Sequence, residues 1–314
     1  MSWLPHPLKT TSANDRMELS LPDYLKLRKE LVDAALNEAL PGETNYPPVI
    51  FQAVRYSLFA GGKRLRPILC LAAADAAGGD YRAVLPVACA LEMIHTYSLI
   101  HDDLPAMDDD DFRRGRPTSH KVFGEAVAVL AGDALLTEAF ALMSARDRMP
   151  QIPPDRILTV IHEIAHAAGF WGMVGGQVMD IQSETAAVDE ETLLYIHTRK
   201  TGAMMVASVR AGAILAGAQA GVIEALAAYG RHLGLAFQIA DDILNVEGDP
   251  AALGKTTGSD DARGKLTFPR WMGMEASRIK MADLVARALA AIQDFDQHAE
   301  PLRAIARYVA ERKT

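Results

Sequence analysis

From Ile100 to Arg116 the chain reads IHDDLPAMDDDDFRRGR, an apolar helical run that ends in Asp102, Asp103, Asp108, Asp109, Asp110 and Asp111. Few folds tolerate so many carboxylates at the end of a core helix. They repel one another unless a cation sits among them, and crowded aspartates offer the hard oxygen ligands that Mg²⁺ takes. Arg113, Arg114 and Arg116 follow at once, and a planar guanidinium fork matches phosphate oxygens. Metal ligands beside phosphate ligands point to a metal-bound phosphate ester. The plainer alternative is a solvated acidic turn.

A second acidic site, FQIADDILN, places Asp241, Asp242 and Asn245 after an apolar run containing Leu233, Leu235, Ala236 and Phe237. Residues four apart share a helix face, so Asp241 and Asn245 direct their oxygens into one space. In the first cluster Pro105 interrupts the helix, because it removes a backbone donor and disfavours helical geometry at Leu104. Asp108 can then fold back toward Asp102. Two apolar helices that each end in carboxylates are what a bundle needs to hold metal ions between facing helices.

Half of the 314 residues are hydrophobic, and no sustained apolar/polar alternation marks half-buried strands. The fold class predicted is all-α, with a loose tail over residues 1–20 and a single domain over 21–314. Helical patterns run from about Pro22 to Leu40, Pro47 to Ala60, Arg66 to Ala77, Tyr81 to Asp103 and Ser119 to Ala145. Further ones run from Pro154 to Ile181, Asp189 to Ala216, Ala218 to Val246, Glu275 to Phe295 and Pro301 to Lys313. The longest polar connection, Glu247 to Pro269, reads as a functional flap that carries Lys255 and Lys265. A net charge of −8 argues against a nucleic-acid-binding surface. Cys70 and Cys89 read as buried free thiols of a reducing cytoplasm. The N-terminus has no signal-peptide core, and the apolar stretch from Ala211 to Ile223 is too short to span a bilayer. A soluble chain without membrane insertion is expected.

Other groups read ambiguously one at a time. Gly61, Gly62, Lys63, Arg64, Leu65, Arg66 and Pro67 form a cationic glycine turn that lacks the Walker order. It is either an anion site or a solvated helix stop. His95 lies about two helical turns before Asp102, nearly on the same face. Lys200 and Thr201 interrupt an apolar helix, and a buried lysine needs a partner. Gln177 and Asp180 either serve a site or pair internally. His162, Glu163 and His166 spell H-E-x-x-H, the zinc peptidase signature, with Glu184, Glu190 or Glu191 as a third ligand. The longer metzincin form wants a histidine at Gly172. That reading leaves both aspartate clusters unexplained.

Together, GGKRLRP, LEMIHTYSLIHDDLPAMDDDDFRRGRPTSHKVFGEAVAVLAGDALL, GGQVMD, HTRKTGAM and FQIADDILN closely resemble the short-chain trans-prenyl diphosphate synthases of the bacterial farnesyl and geranylgeranyl type. The likeness runs from about Tyr24 to the C-terminus. It implies an antiparallel helical bundle with a central apolar cavity, found as a cytoplasmic homodimer. It also implies head-to-tail condensation of isopentenyl diphosphate with dimethylallyl or geranyl diphosphate. Three Mg²⁺ ions, with Mn²⁺ able to substitute, would be held by the two acidic motifs. By this resemblance Asp102 and Asp108 bridge two ions with support from Asp103, and Asp241 holds the third. Arg113, Lys200 and Lys255 grip the allylic diphosphate, while Gly62, Lys63, Arg66, His95 and Arg114 bind isopentenyl diphosphate. Thr201 and Gln238 present oxygens near the developing cation.

Asn245 stands where most members of that family carry aspartate, and the first motif is the longer DDxxxxD form. Tyr97, roughly 7.5 Å along the helix from Asp102, would floor the tail pocket and favour farnesyl diphosphate. Ser98 is small and leaves room for a geranylgeranyl product.

Overall fold

Pro22 starts the first helix where the sequence predicts it, with the Ser20 hydroxyl accepting the Asp23 N–H at 3.3 Å. The structure is a computed structural model and describes residues 19–183, 189–247 and 267–311. The expected N-terminal tail up to residue 18, and Lys255 and Lys265 of the expected flap, lie outside the described residues. The chain divides into two compact units, Met1–Leu71 with Tyr81–Ile161 and Ala72–Asp80 with His162–Thr314.

The first unit contains α1 (Leu21–Ala39), α2 (Pro48–Leu58), the start of α3 (Leu65–Ala76) and α4 (Leu85–Asp102). Then come a two-stranded hairpin, β1 (Phe112–Arg113) and β2 (Arg116–Pro117), and the helices α5 (Ser119–Phe123) and α6 (Glu125–Ser144). Every residue of α4 from Leu85 to Ile94 is buried. A helix apolar on all sides belongs in a core, and α1, α2 and α6 pack around it. The single helix expected from Ser119 to Ala145 is broken at Gly124, whose φ of +83° only glycine adopts without strain.

The second unit takes over α7 (Pro154–Ala168) at His162 and continues with α8 (Met173–Ser183) and α9 (Glu190–Ile196). A π-helical turn, His197–Gly202, leads into α10 (Ala203–Ala216) and the long α11 (Ala220–Glu247). After the undescribed segment come α12 (Phe268–Met272), α13 (Met274–Ala291) and α14 (Glu300–Glu311). The core of this unit is α11, against which α10, α13 and α14 pack. The buried Tyr229 hydroxyl donates to the Leu302 carbonyl at 2.7 Å and ties α11 to α14. Among the described residues the small hairpin is the only sheet, so the all-α expectation holds.

By length and hydropathy alone, Glu125–Ser144 and Pro154–Ser183 would pass for membrane spans. In α6 the apolar length serves packing, with Ala128, Ala131, Leu135, Ala139, Leu142 and Met143 buried. The second stretch breaks between α7 and α8. Both cysteines are buried, which pushes the Cys70 thiol up to about 12 and raises Cys89 as well. Thiols held protonated in this way are poor nucleophiles.

A polar knot closes the second unit's core. His197 stacks on Phe268 with ring centroids 5.3 Å apart, and its Nε2 lies 3.7 Å from Asp242. Asp242 in turn accepts the Phe268 N–H at 2.9 Å. Burial pushes the His197 imidazole down from 6.5 to about 4, so the native state refuses a proton that the unfolded chain binds. Stability from this group is therefore full above pH 6.5 and falls as the pH drops toward 4. We predict that urea unfolding of the wild type loses stability across that window relative to His197→Asn. A difference that stays flat with pH would show that His197 takes up its proton as readily in the native state as in the unfolded chain.

Candidate active site

The first acidic motif is shaped by the proline within it. After α4, Met107 and Asp109 both donate their N–H to the Leu104 carbonyl, at 2.9 and 3.1 Å. The Asp108 N–H then donates to the carbonyl of Asp102 at 2.8 Å. The chain thus folds Asp108 back on Asp102, as Pro105 requires. Asp103 is buried instead, and its carboxylate accepts from Arg113 Nε at 2.7 and 3.0 Å and from Nη2 at 2.5 Å. Burial raises the Asp103 carboxyl above its usual range even with Arg113 opposing it.

Asp102 and Asp108 are half-buried and present carboxylate oxygens. On α11, Asp241 and Asn245 are likewise half-buried on one face, while Asp242 turns inward to the Phe268 amide. These donor sets are all oxygen, which fits the hard cation Mg²⁺. The ligand oxygens of Asp102, Asp103 and Asp108 do not converge as a trio. Among the described residues, Asp109, Asp111 and His120 are the metal-ligating group whose atoms do approach within 4.8 Å of one another. There Lys121 already pairs with Asp111 at 2.6 Å and holds that carboxyl below its usual range.

The hairpin, absent from the sequence expectation, aims the arginines. Arg114 and Gly115 at its turn have φ of +54° and +74°, the two positive values of a type I′ turn. Arg113 on β1 faces Asp103, whereas Arg114 reaches back and donates to the Gly61 carbonyl. Its guanidinium lies where a side chain on Gly62 would be, with Nη1 2.5 Å from that missing Cβ. Lys63 on that loop is exposed, and Arg66 in the first turn of α3 is half-buried. Burial, followed by Arg66, Arg114, Arg113 and Arg64, keeps the His95 imidazole well below its ordinary range and therefore neutral. The residues expected at one diphosphate site thus gather within one unit. On the same helix Tyr97 is buried, its ring 5.6 Å from that of His101 and nearly perpendicular to it. The Ser98 hydroxyl donates to the His95 carbonyl at 2.8 Å.

In the second unit, Lys200 and Thr201 lie in the π-helical turn, a distortion that recurs at functional sites. α8 presses against this turn. A Cβ on Gly176 would come within 2.2 Å of the Lys200 nitrogen. Lys200 donates to Asp180 at 2.6 Å, whereas both amide atoms of Gln177 are buried without a hydrogen-bond partner. Of the two GGQVMD polar groups, then, Asp180 is internally paired and the Gln177 amide is not. The sequence signal was a lone amide in apolar company. Gln238 Nε2 lies 3.4 Å from His197 Nδ1.

In the H-E-x-x-H segment His162 and His166 are exposed and Glu163 is half-buried. Both Glu163 oxygens accept from Arg210, at 2.7 and 2.8 Å, which leaves no free carboxylate base. His166 stacks on Trp171, and among the described residues no third ligand completes a metal group there.

The sequence matches the polyprenyl synthetase family over residues 47–306. A geranylgeranyl diphosphate synthase of Cyanophora paradoxa is 48% identical over 295 residues, which cover 93% of this chain and 97% of that protein. A farnesyl diphosphate synthase of Geobacillus stearothermophilus is 47% identical over 298 residues, which cover 94% and 99%. Among solved structures, an FPP/GFPP synthase from Zymomonas mobilis matches with a TM-score of 0.82 at 40% identity, covering 92% of this chain and 98% of that one. The all-α fold is the isoprenoid synthase fold, and the chain belongs to the polyprenyl synthetase family of prenyltransferases.

Proposed function

We propose that this chain condenses isopentenyl diphosphate with dimethylallyl and then geranyl diphosphate, releasing inorganic diphosphate at each turn and ending at farnesyl diphosphate. One observation carries the reading: a single unit joins the Asp102–Asp108 carboxylate turn to a cationic cradle around neutral His95. In the cradle Lys63, Arg66 and Arg114 bind isopentenyl diphosphate, with Gly62 allowing their close approach. Arg113, Lys200 and Lys255 receive the allylic diphosphate.

Asp102, Asp108 and Asp241 are the proposed Mg²⁺ ligands, with Asp103 supporting through Arg113. Bound Mg²⁺ supplies charge neutralisation between two anions and stabilises the leaving diphosphate. The allylic C–O bond breaks and its electron pair leaves with the diphosphate. The isopentenyl double bond then forms the new C–C bond. A proton passes from the adduct to the departed diphosphate and restores a double bond. Thr201 and Gln238, together with the orphan amide of Gln177, direct oxygens at the cationic carbon. Apolar side chains exclude the water that would otherwise capture it.

The C15 product is favoured by the buried Tyr97 ring, which sits five residues before Asp102 on the same helix. A C20 product is the second reading. It is favoured by small Ser98 and by the near-equal identity of the geranylgeranyl and farnesyl relatives. We also propose a cytoplasmic homodimer, the assembly that the family resemblance implies.

Incubation with isopentenyl diphosphate, each allylic starter and Mg²⁺, followed by dephosphorylation, should give the C15 alcohol. A C20 alcohol would select the second reading, and no prenyl alcohol would overturn both. Asp102→Ala and Asp241→Ala should each lower kcat at least about a hundredfold while far-UV circular dichroism stays native; near-normal turnover would remove them as metal ligands. Tyr97→Ala should lengthen the product, and an unchanged distribution would exclude Tyr97 as the floor.

A further inference from the structure

The cradle's loop is held by a cation that faces away from it. Arg64 is buried, with its side chain 1% exposed, between exposed Lys63 and half-buried Arg66. All three of its guanidinium nitrogens donate: Nε to Asp33 of α1 at 2.7 Å, Nη1 to Glu92 of α4 at 2.8 Å, and Nη2 to the Leu58 carbonyl of α2 at 2.7 Å. One side chain therefore ties the loop to three helices. Its backbone sits at φ +53°, an unfavourable region for a residue with a Cβ. Its carbonyl accepts the Ile68 N–H at 3.0 Å and sets the start of α3, which carries Arg66. Glu92 lies one turn before His95 on α4, so the clamp also fixes the loop relative to the imidazole.

We propose that Arg64, Asp33 and Glu92 are positioning residues of the isopentenyl diphosphate site. They touch no substrate, and they hold the Lys63 and Arg66 backbone in register with His95 and Arg114. This rests on the proposed reading of that cradle. Electrostatics and positioning predict opposite signs. Asp33 and Glu92 are anions beside a site for an anion, so neutralising either would tighten diphosphate binding if charge alone mattered. If they position the loop, neutralising them frees Arg64 and weakens binding. Breaking a buried pair also leaves a buried charge unmatched, so Glu92→Gln is the variant at greater risk of misfolding. Asp33, whose side chain is 27% exposed, gives the safer one.

The test is steady-state kinetics of Asp33→Asn and Glu92→Gln, with isopentenyl and geranyl diphosphate varied separately, alongside circular dichroism. We expect KM for isopentenyl diphosphate to rise about tenfold in Asp33→Asn, while kcat and the geranyl diphosphate KM stay within about twofold. Asp33→Glu should recover much of the loss. An unchanged or lowered isopentenyl KM would overturn the proposal, as would loss of the native fold in Asp33→Asn, which would give the clamp to the fold and not to the site. Wild-type protein that transfers no prenyl group would instead sink the reading of the cradle itself.

Discussion

Anions carried on packed helices must be matched by cations, and this constraint organises the functional parts of the molecule. Arg113 is held by Asp103, Lys200 by Asp180, and Arg64 by Asp33 and Glu92. The first two cations are the ones assigned to the allylic diphosphate. Arg113 also lies 3.7 Å from Asp110, so both cations are kept in place by acids. The third has three partners and a side chain only 1% exposed. Among the described residues the first two cations thus pair with carboxylates alone, while Arg64 also donates to a backbone carbonyl.

Backbone distortion is concentrated where side chains must be aimed. The π-helical turn carries Lys200 and Thr201, and the three non-glycine residues of positive φ among the described residues are Arg64, Arg114 and Asp109, the last beside the folded-back Asp108. In regular helix, Lys200 and Thr201 would sit about 100° apart around the axis. An extra residue in the turn changes which way each of them projects. Gly176 permits this, since any side chain there would strike the Lys200 backbone.

Much of this was legible from residues. Pro105 foretold the fold-back of Asp108, because its chemistry acts on its own neighbours. The spacing of Asp241 and Asn245 foretold a shared face. Helix existence was legible for the same reason, since it depends on local periodicity. The break at Gly124 was missed because an apolar pattern continues across it, and the gap between α7 and α8 for the same cause. The Arg114–Gly115 hairpin was hidden by strands only two residues long, too short for alternation to register. Arg64 read as one more cation of the glycine turn. Its inward orientation depends on partners at positions 33 and 92, a distance over which sequence pattern carries no signal.

Product length is the finest property and the one least tied to overall identity, and α4 shows why. His95, Tyr97, Ser98 and Asp102 lie on one helix whose core stretch is almost wholly buried. At about 1.5 Å per residue their axial spacings are fixed. Such a helix cannot shift to suit a longer tail without unpacking α1, α2 and α6 around it. On the proposed reading, the depth of the tail pocket is adjusted through side-chain volume at one or two positions upstream of Asp102. A change of that kind leaves the motifs, the clamp and the fold untouched, so relatives of equal identity can carry different product names.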